Sequence, residues 1–177
     1  MLYVFDIDGT LGKGFNGYSY YLNEHLELGL SQDTLAELKN YWAFTQLPTV
    51  QAFVQNNPRN QERYLHAYKE AQHDPGVQES LVPTRDAVSV VNQLAKAGKV
   101  IYATCRKQES KGLTQSWLAR HGFPCSEQVY ICDHYHFKYV AAYDAADPDE
   151  YIFLFDDHAE DVIRFFASWR AITHILP

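Results

Sequence analysis

The sequence lacks the features that mark several classes of protein. No apolar run approaches the length of a membrane-spanning helix, and Asp6 interrupts the apolar start, so we expect no membrane segment and no secretory signal. The formal net charge of −7 argues against binding to a nucleic-acid polymer or an anionic membrane. Cysteine is scarce, and its odd count of three fits a reducing cytoplasm better than a disulfide framework. Internal repeats and low-complexity segments are also missing.

The sequence does contain an alternation of strand-like and helix-like stretches. Its 177 residues suffice for one domain with a sizeable core and a modest insertion. Short apolar runs predict buried strands at residues 1–4, 100–104, 129–132, 151–155 and 172–176. Helical spacing appears between them over 84–97, around Trp117, over 138–146 and through Phe166. This order predicts an α/β fold in which a parallel sheet is covered by helices on both faces.

The stretch 14–82 differs from the rest of the chain because helical spacing predominates in it. Its glycine-rich start indicates a pliable segment. Capping residues and prolines then predict three helices, beginning at Ser31 or Asp33, at Pro48 and at Pro58, the last of which ends near Asp74-Pro75-Gly76. We therefore expect two parts, an α/β core formed by 1–13 and 83–177 and a helical unit over 14–82.

Two carboxylates stand at the end of the first strand. Side chains alternate along a strand, so Asp6 and Asp8 point the same way, and Gly9 allows a sharp turn after them. Two such acids repel each other unless a cation or a shared proton lies between them, and Mg2+ is the usual cation. Taken alone, the segment could be a strand followed by an ordinary Asp-Gly turn.

Further polar groups follow the later strands in a defined order. The second strand ends in Thr104, and Cys105 and Arg106 come next. Lys138 begins a helical stretch, and the strand over 151–155 is followed by Asp156 and Asp157, with Asp161 four residues beyond. Because ligands of parallel sheets bind at the carboxyl ends of the strands, these groups define one candidate site.

In order, these groups resemble the four motifs of the haloacid dehalogenase-like (HAD) superfamily, from Phe5 to Asp161. The resemblance implies a Rossmann-like core, and it implies that the helical unit over 14–82 is a cap of the C1 type, inserted after the first strand. It implies that Asp6 is the nucleophile, forming an aspartyl-phosphate, and that Asp8 is the general acid and base. The presence of Asp8 favours phosphoryl transfer over carbon–halogen cleavage.

The resemblance also assigns the remaining groups. Mg2+ would be held by Asp6, by the backbone carbonyl of Asp8 and by an acid of the last motif, which by register is Asp157. Since Asp156 replaces the usual glycine, Asp156, Asp157 and Asp161 all stay open as the direct ligand. The phosphate would be bound by Thr104 and the turn after it, which contains Cys105 and Arg106, and its charge would be balanced by Lys138. Lys107 and Lys111 are rivals for that duty.

The sequence offers two alternative sites. A cysteine phosphatase would need an arginine six residues after Cys105, where the sequence has Lys111. Zinc could be bound by Cys125, Cys132, His134 and His136, the last three of which would share one side of an extended segment. Paired zinc-ligand spacing is absent, so polar loop residues are the simpler interpretation.

These residues lead to one principal function and to alternatives. The principal expectation is a cytoplasmic, Mg2+-dependent phosphatase acting on a small phosphate ester, with neither nucleic acid nor membrane as a partner. A 5'-nucleotidase-like phosphatase is the nearest rival, because residues 104–124 faintly resemble that group. A mutase is a weaker possibility, and a regulatory protein that binds phosphate compounds without turnover belongs to a different class.

Overall fold

The computed structural model describes residues 1–38, 41–132 and 135–157, with only the backbone described at 135–137 and 139. The chain divides into two compact units. The first consists of Met1–Lys13 and the described residues from Pro83 onward, and the second is Gly14–Val82. Within the described ranges, no helix is long and apolar enough to cross a bilayer.

A parallel sheet forms the centre of the first unit. The strands of the described chain are β1 (Leu2–Phe5), β2 (Gly12–Lys13), β3 (Val82–Pro83), β4 (Lys99–Thr104), β5 (Val129–Ile131) and β6 (Ile152–Phe155). Four of them form one sheet in the order β5-β4-β1-β6, and every neighbouring pair is parallel. The short strands β2 and β3 form a separate two-stranded sheet, at the two points where the chain passes between the units.

Helices complete both units. They are α1 (Phe15–His25), α2 (Gln32–Glu37), α3 (Tyr41–Thr45), α4 (Pro48–Asn56), α5 (Pro58–Ala71), α6 (Pro75–Glu79), α7 (Ala87–Leu94), α8 (Lys111–Arg120) and α9 (Tyr135–Ala145). In the first unit α9 packs on β1, β4 and β5, α7 packs on β4, and α8 packs on β5. The α/β class predicted from the alternation of strands and helices is confirmed.

The two faces of β1 enter different parts of the core. Leu2 and Val4 join an aliphatic cluster that includes Ala142 of α9. Tyr3 and Phe5 alternate with them, and the ring of Phe5 lies against that of Tyr102 in β4. All four residues of β1 are buried, as expected for a central strand of a parallel sheet. Burial of both faces fixes the register of this strand, and hence the position of the residues that follow it.

The second unit has a hydrophobic core of its own. Its buried residues are Leu22, Leu26, Leu28, Leu35, Phe44, Val50 and Ala67. The predicted cap at Ser31 is present, since the Thr34 amide donates to its hydroxyl oxygen at 3.1 Å. Pro48 and Pro58 begin helices as predicted. Whether this unit acts as a cap over a site stays a prediction.

One helix of the second unit contradicts the pliable segment expected at its start. Residues 15–25 form α1, with Gly17 inside it. A Cβ at Gly17 would collide with the side chain of Ser80 and lie 3.2 Å from the Cα of Val77. The glycine therefore permits close packing of α1 on α6, a tertiary requirement that local sequence cannot reveal. Sequence reasoning also misses α6, because Asp74-Pro75-Gly76 is typical of a helix end. In the structure Asp74 caps a new helix by accepting from the Val77 amide at 2.9 Å.

The helix carrying Lys138 begins earlier than predicted. α9 is helical from Tyr135, so the extended segment that would have aligned Cys132 with His136 does not continue past the strand. Cys132 itself is buried in the aliphatic cluster. The premise of the zinc hypothesis is therefore wrong for His136. His134, Asp161, the predicted helix through Phe166 and the predicted strand at 172–176 lie outside the described residues.

Candidate active site

The strand order brings three of the predicted motifs to one edge of the sheet. β1 lies between β4 and β6, and Phe5 is level with Tyr102 on one side and Phe155 on the other. The next residue, Asp6, continues the pairing by donating its amide to the Phe155 carbonyl at 2.9 Å. Asp6 and Asp156 are consequently side by side, with Thr104 at the end of β4 on the opposite flank.

A tight loop follows Asp6. The amides of Leu11 and Gly12 both donate to the Ile7 carbonyl, at 3.0 and 2.8 Å, and the Gly9 amide donates to the Gly12 carbonyl at 2.9 Å. Gly9 has a φ of +89°, a conformation that side chains disfavour. A Cβ at this position would also lie 2.6 Å from the carboxyl carbon of Asp157. The Asp-Gly step is therefore required both by the turn and by an acid that approaches from the end of β6.

Lys138 joins two of the acids from α9. Its ammonium donates to Oδ1 of Asp6 at 2.6 Å and to Oδ2 of Asp156 at 3.1 Å. The three side chains are 5–6% exposed. Lys107, one of its predicted rivals, is exposed instead. Charged groups are buried in this way only when they are paired, so the position of each depends on the other two.

Burial and the charge of Lys138 act in opposite directions on the pKa of Asp6, the candidate nucleophile. Burial raises the pKa of Asp6 from 3.8 to about 7, Lys138 opposes the rise through its charge and hydrogen bond, and Asp156 and Asp8 add to it. For Lys138, burial favours the neutral amine, but the charge and hydrogen bond of Asp6 and the charge of Asp156 raise its pKa above the ordinary value. Asp6 is therefore poised to gain or lose a proton near neutral pH.

Three acids are arranged so that they could hold a cation. One carboxylate oxygen from each of Asp6, Asp156 and Asp157 lies within 4.8 Å of the other two. Asp6 is buried, whereas Asp157 is exposed, so the cluster runs from the interior to the surface. Hard oxygen donors at this spacing suit Mg2+. No other such group of acidic, histidine or cysteine ligands occurs among the residues that could be searched in the described chain.

The carboxylate of Asp8 is held by a different partner. Arg106 donates from Nε to Oδ2 and from a terminal nitrogen to Oδ1, both at 2.9 Å, in a fork geometry. Its other terminal nitrogen donates to the hydroxyl of Thr114 in α8 at 3.0 Å. The Thr104 hydroxyl lies 3.5 Å from Oδ2 of Asp8, a long contact. Asp8 and Asp6 therefore point into one site but have separate cationic partners.

Cys105 takes no part in these ion pairs. Its thiol is half-buried and packs against the aliphatic cluster. Burial raises its pKa to about 11, while the charge of Lys138 lowers the pKa and the charges of Asp6, Asp156 and Asp8 raise it. A protonated thiol is a poor nucleophile, which agrees with the rejection of a cysteine phosphatase.

The structure thus brings together nearly all the residues that the sequence nominated. Asp6, Asp156, Asp157 and Lys138 form one connected group, and Asp8, Arg106 and Thr104 form a second group beside it. Sequence reasoning missed Thr114. The one sequence feature that points to Thr114 is a hydroxyl on the buried side of a helix, eight residues after Arg106. A residue that only packs in the core would show the same pattern in the sequence.

Comparison with solved structures identifies the fold. A candidate phosphatase from Clostridium difficile aligns with a TM-score of 0.50 at 15% identity, covering 86% of this chain and 74% of that one. A hydrolase from Streptococcus pneumoniae has a TM-score of 0.43 at 19% identity over 73% of this chain and 65% of its own. A haloacid dehalogenase-like protein from Streptococcus pneumoniae has a TM-score of 0.43 at 14% identity, with coverages of 86% and 73%.

The first of these likenesses shows the fold, and the other two are too weak to carry an argument. No protein-family model and no curated protein sequence matches the chain. The chain therefore shares an α/β fold, with a parallel sheet flanked by helices, with the candidate phosphatase.

Proposed function

We propose that this protein is a Mg2+-dependent phosphohydrolase that acts on a small phosphate ester through an aspartyl-phosphate. The observation that carries the proposal is the contact of Asp6 with Lys138 beside Asp156 and Asp157. A carboxylate nucleophile needs cations around it, because the incoming phosphoryl group is itself negatively charged. Asp6 has such a cation 2.6 Å away, and both side chains are only 5–6% exposed.

The chemistry assigned to the residues has two steps. In the first, a carboxylate oxygen of Asp6 bonds to phosphorus as the ester P–O bond breaks, and the leaving oxygen takes a proton from Asp8. In the second, water attacks the phosphorus of the aspartyl-phosphate while Asp8 removes its proton. Inorganic phosphate leaves and the Asp6 carboxylate is restored. Lys138 balances charge in both steps, and Thr104 with the turn after it binds the phosphate oxygens.

The acidic cluster fits the cation that this chemistry uses. Asp6, Asp156 and Asp157 would hold Mg2+, since their three carboxylate oxygens lie within 4.8 Å, carry more negative charge than Lys138 alone balances and match its preference for hard ligands. When bound, Mg2+ supplies positive charge for the phosphate oxygens. The helical unit Gly14–Val82 is assigned the selection of substrate, as the C1-type cap that the sequence resemblance implies.

Hydrolysis of p-nitrophenyl phosphate, followed with and without Mg2+, tests the proposal. The intact chain should release nitrophenolate only with the cation, and Asp6→Asn should keep its circular dichroism spectrum but lose turnover, because an amide does not attack phosphorus. Ordinary turnover by Asp6→Asn would refute the mechanism. Phosphate binding without turnover would favour the regulatory alternative, and release of chloride from 2-chloropropionate would favour halide chemistry.

A further inference from the structure

We propose that Arg106, anchored by Thr114, is a positioning residue that aims the carboxylate of Asp8 for proton transfer. This inference rests on the proposed phosphohydrolase function. The sequence assigned Arg106 to phosphate binding along with the rest of its turn. The geometry points instead to a role that acts through Asp8.

The backbone around Asp8 is fixed, but its side chain needs a separate constraint. Hydrogen bonds of the tight loop hold the chain on both sides of Asp8. The side chain is 33% exposed, so it borders solvent. Without a partner, an aspartate in that position would sample several rotamers. Proton transfer requires a heavy-atom distance of about 2.6–3.2 Å to the reacting oxygen, so such sampling would slow the reaction.

Arg106 supplies this constraint in a form that only a guanidinium can. Two of its nitrogens contact both carboxylate oxygens of Asp8 at 2.9 Å, which fixes the plane of the carboxylate as well as its position. The Arg106 side chain is 2% exposed, and its third nitrogen is held by Thr114. Each carboxylate oxygen has a second lone pair, so the clamp leaves Asp8 able to exchange a proton with substrate or water.

The same contacts argue against Arg106 as a primary phosphate ligand. Three of its five N–H groups donate to Asp8 and Thr114, and moving the guanidinium toward a substrate would break the fork to Asp8. In the proposed second step Asp8 acts as a base toward water, and the fork contacts both oxygens of the carboxylate that this step uses. We therefore expect the clamp to matter most in the breakdown of the aspartyl-phosphate.

A double-mutant cycle on the intact chain distinguishes the two roles. With p-nitrophenyl phosphate, whose leaving group needs little protonation, Arg106→Lys should keep a rapid burst of nitrophenolate. The steady-state rate after the burst should fall about 10- to 100-fold, the scale of a catalytic group displaced by about 1 Å. Because Arg106 acts through Asp8, adding Arg106→Lys to Asp8→Asn should slow the reaction by less than about twofold more. Arg85→Lys, at a residue whose side chain is 95% exposed, is the matched control and should leave both phases unchanged.

A second pair of variants distinguishes loss of the hydroxyl anchor from misfolding. Thr114→Val has nearly the same shape but removes the hydroxyl that anchors Arg106, and it should slow the steady state without raising KM, because slower breakdown of the aspartyl-phosphate lowers kcat and KM together. Thr114→Ser retains the hydroxyl and should restore most of the rate, which a packing role alone does not predict. Melting temperatures of all variants identify any that fail to fold.

The outcomes separate this inference from the function on which it rests. A raised KM with equal losses in the Asp8 and Asp8→Asn backgrounds would overturn the inference and assign Arg106 to phosphate binding. Equal rates for Thr114→Val and Thr114→Ser would also overturn it, because the hydroxyl would then be irrelevant. A wild-type chain that hydrolyses no phosphate ester with Mg2+ would overturn the proposed function, and with it the inference.

Discussion

The ammonium of Lys138 contacts the carboxylate of Asp6 at 2.6 Å across 132 positions of sequence. The contact is buried, and the same ammonium reaches Asp156 at 3.1 Å. It ties the end of the central strand to α9 and to the end of β6. Removing the ammonium should therefore change both the chemistry of Asp6 and the stability of the unit.

Lys138→Met replaces the ammonium with an apolar group of similar length. Burial is the largest influence on the pKa of Asp6, and Lys138 is the group that lowers this pKa. Without the ammonium, the pKa of Asp6 should rise above about 7. Carbon-13 NMR of the carboxyl groups in the metal-free protein, with Asp6 assigned from the Asp6→Asn variant, measures this shift. A pKa at or below that of the wild type would contradict the role given to Lys138.

The same variant should lose stability as the pH rises. An acid whose pKa is raised in the folded state holds a proton that the unfolded chain releases, so stability falls from about the unfolded pKa of 3.8 up through the folded pKa. In Lys138→Met that fall should exceed the roughly 4 kcal/mol that a rise from 3.8 to about 7 implies for the wild type, because the charged form of Asp6 would have no buried cation beside it. Thermal melts at pH 5, 7 and 9 test this, and Lys107→Met, at an exposed lysine, is the control.

Mg2+ affinity should depend on pH through Asp6. A proton and a cation compete for the same carboxylate, and half of Asp6 is protonated near pH 7 in the absence of metal. Isothermal titration calorimetry should show affinity falling by about tenfold per pH unit below 7 and levelling off above it. Asp6→Asn should bind more weakly and lose this dependence around pH 7. A flat profile in the wild type would exclude Asp6 as a ligand.

Gly9→Ala should disturb the site through a steric clash as well as through backbone strain. The residue has a φ of +89°, and the new Cβ would overlap the Asp157 carboxylate. Gly122→Ala is a matched control in the same unit, with a φ of +80° and its nearest neighbour, a methyl of Val88, at an ordinary 3.8 Å. Both variants should lose about 1–2 kcal/mol from the left-handed conformation. Only Gly9→Ala should also weaken Mg2+ binding, measured by calorimetry, and equal affinities would place Asp157 outside the metal site.

The acids after β6 should contribute unequally to the Mg2+ requirement of activity. Asp157 lies against the Gly9 turn within the acidic cluster, whereas Asp161 is assigned from the sequence pattern alone. Asp157→Ala should raise the Mg2+ concentration needed for half-maximal hydrolysis more than Asp161→Ala does. Chelation by EDTA should stop the reaction and added Mg2+ should restore it. Recovery with zinc but not magnesium would instead point to a different site.

The sequence by itself determined where the polar groups of this site fall relative to the strands. Apolar runs such as 100–104 form strands because both faces are buried, and a run's end is marked locally by the first polar residue and the turn after it. Asp6, Thr104 and Asp156 could therefore be predicted at strand ends, and the motif order indicated the fold. The prolines and Ser31 located helix starts for a similarly local reason.

Only the tertiary structure decided which groups touch. The fork from Arg106 to Asp8 spans 98 positions and exists because β4 pairs beside β1, while the anchor at Thr114 depends on the packing of α8. The helical role of Gly17 likewise follows from the approach of α6, not from its own propensity, which disfavours a helix. Distances between side chains are set by the packing of residues that are remote in sequence, and spacing along the chain contains no record of them.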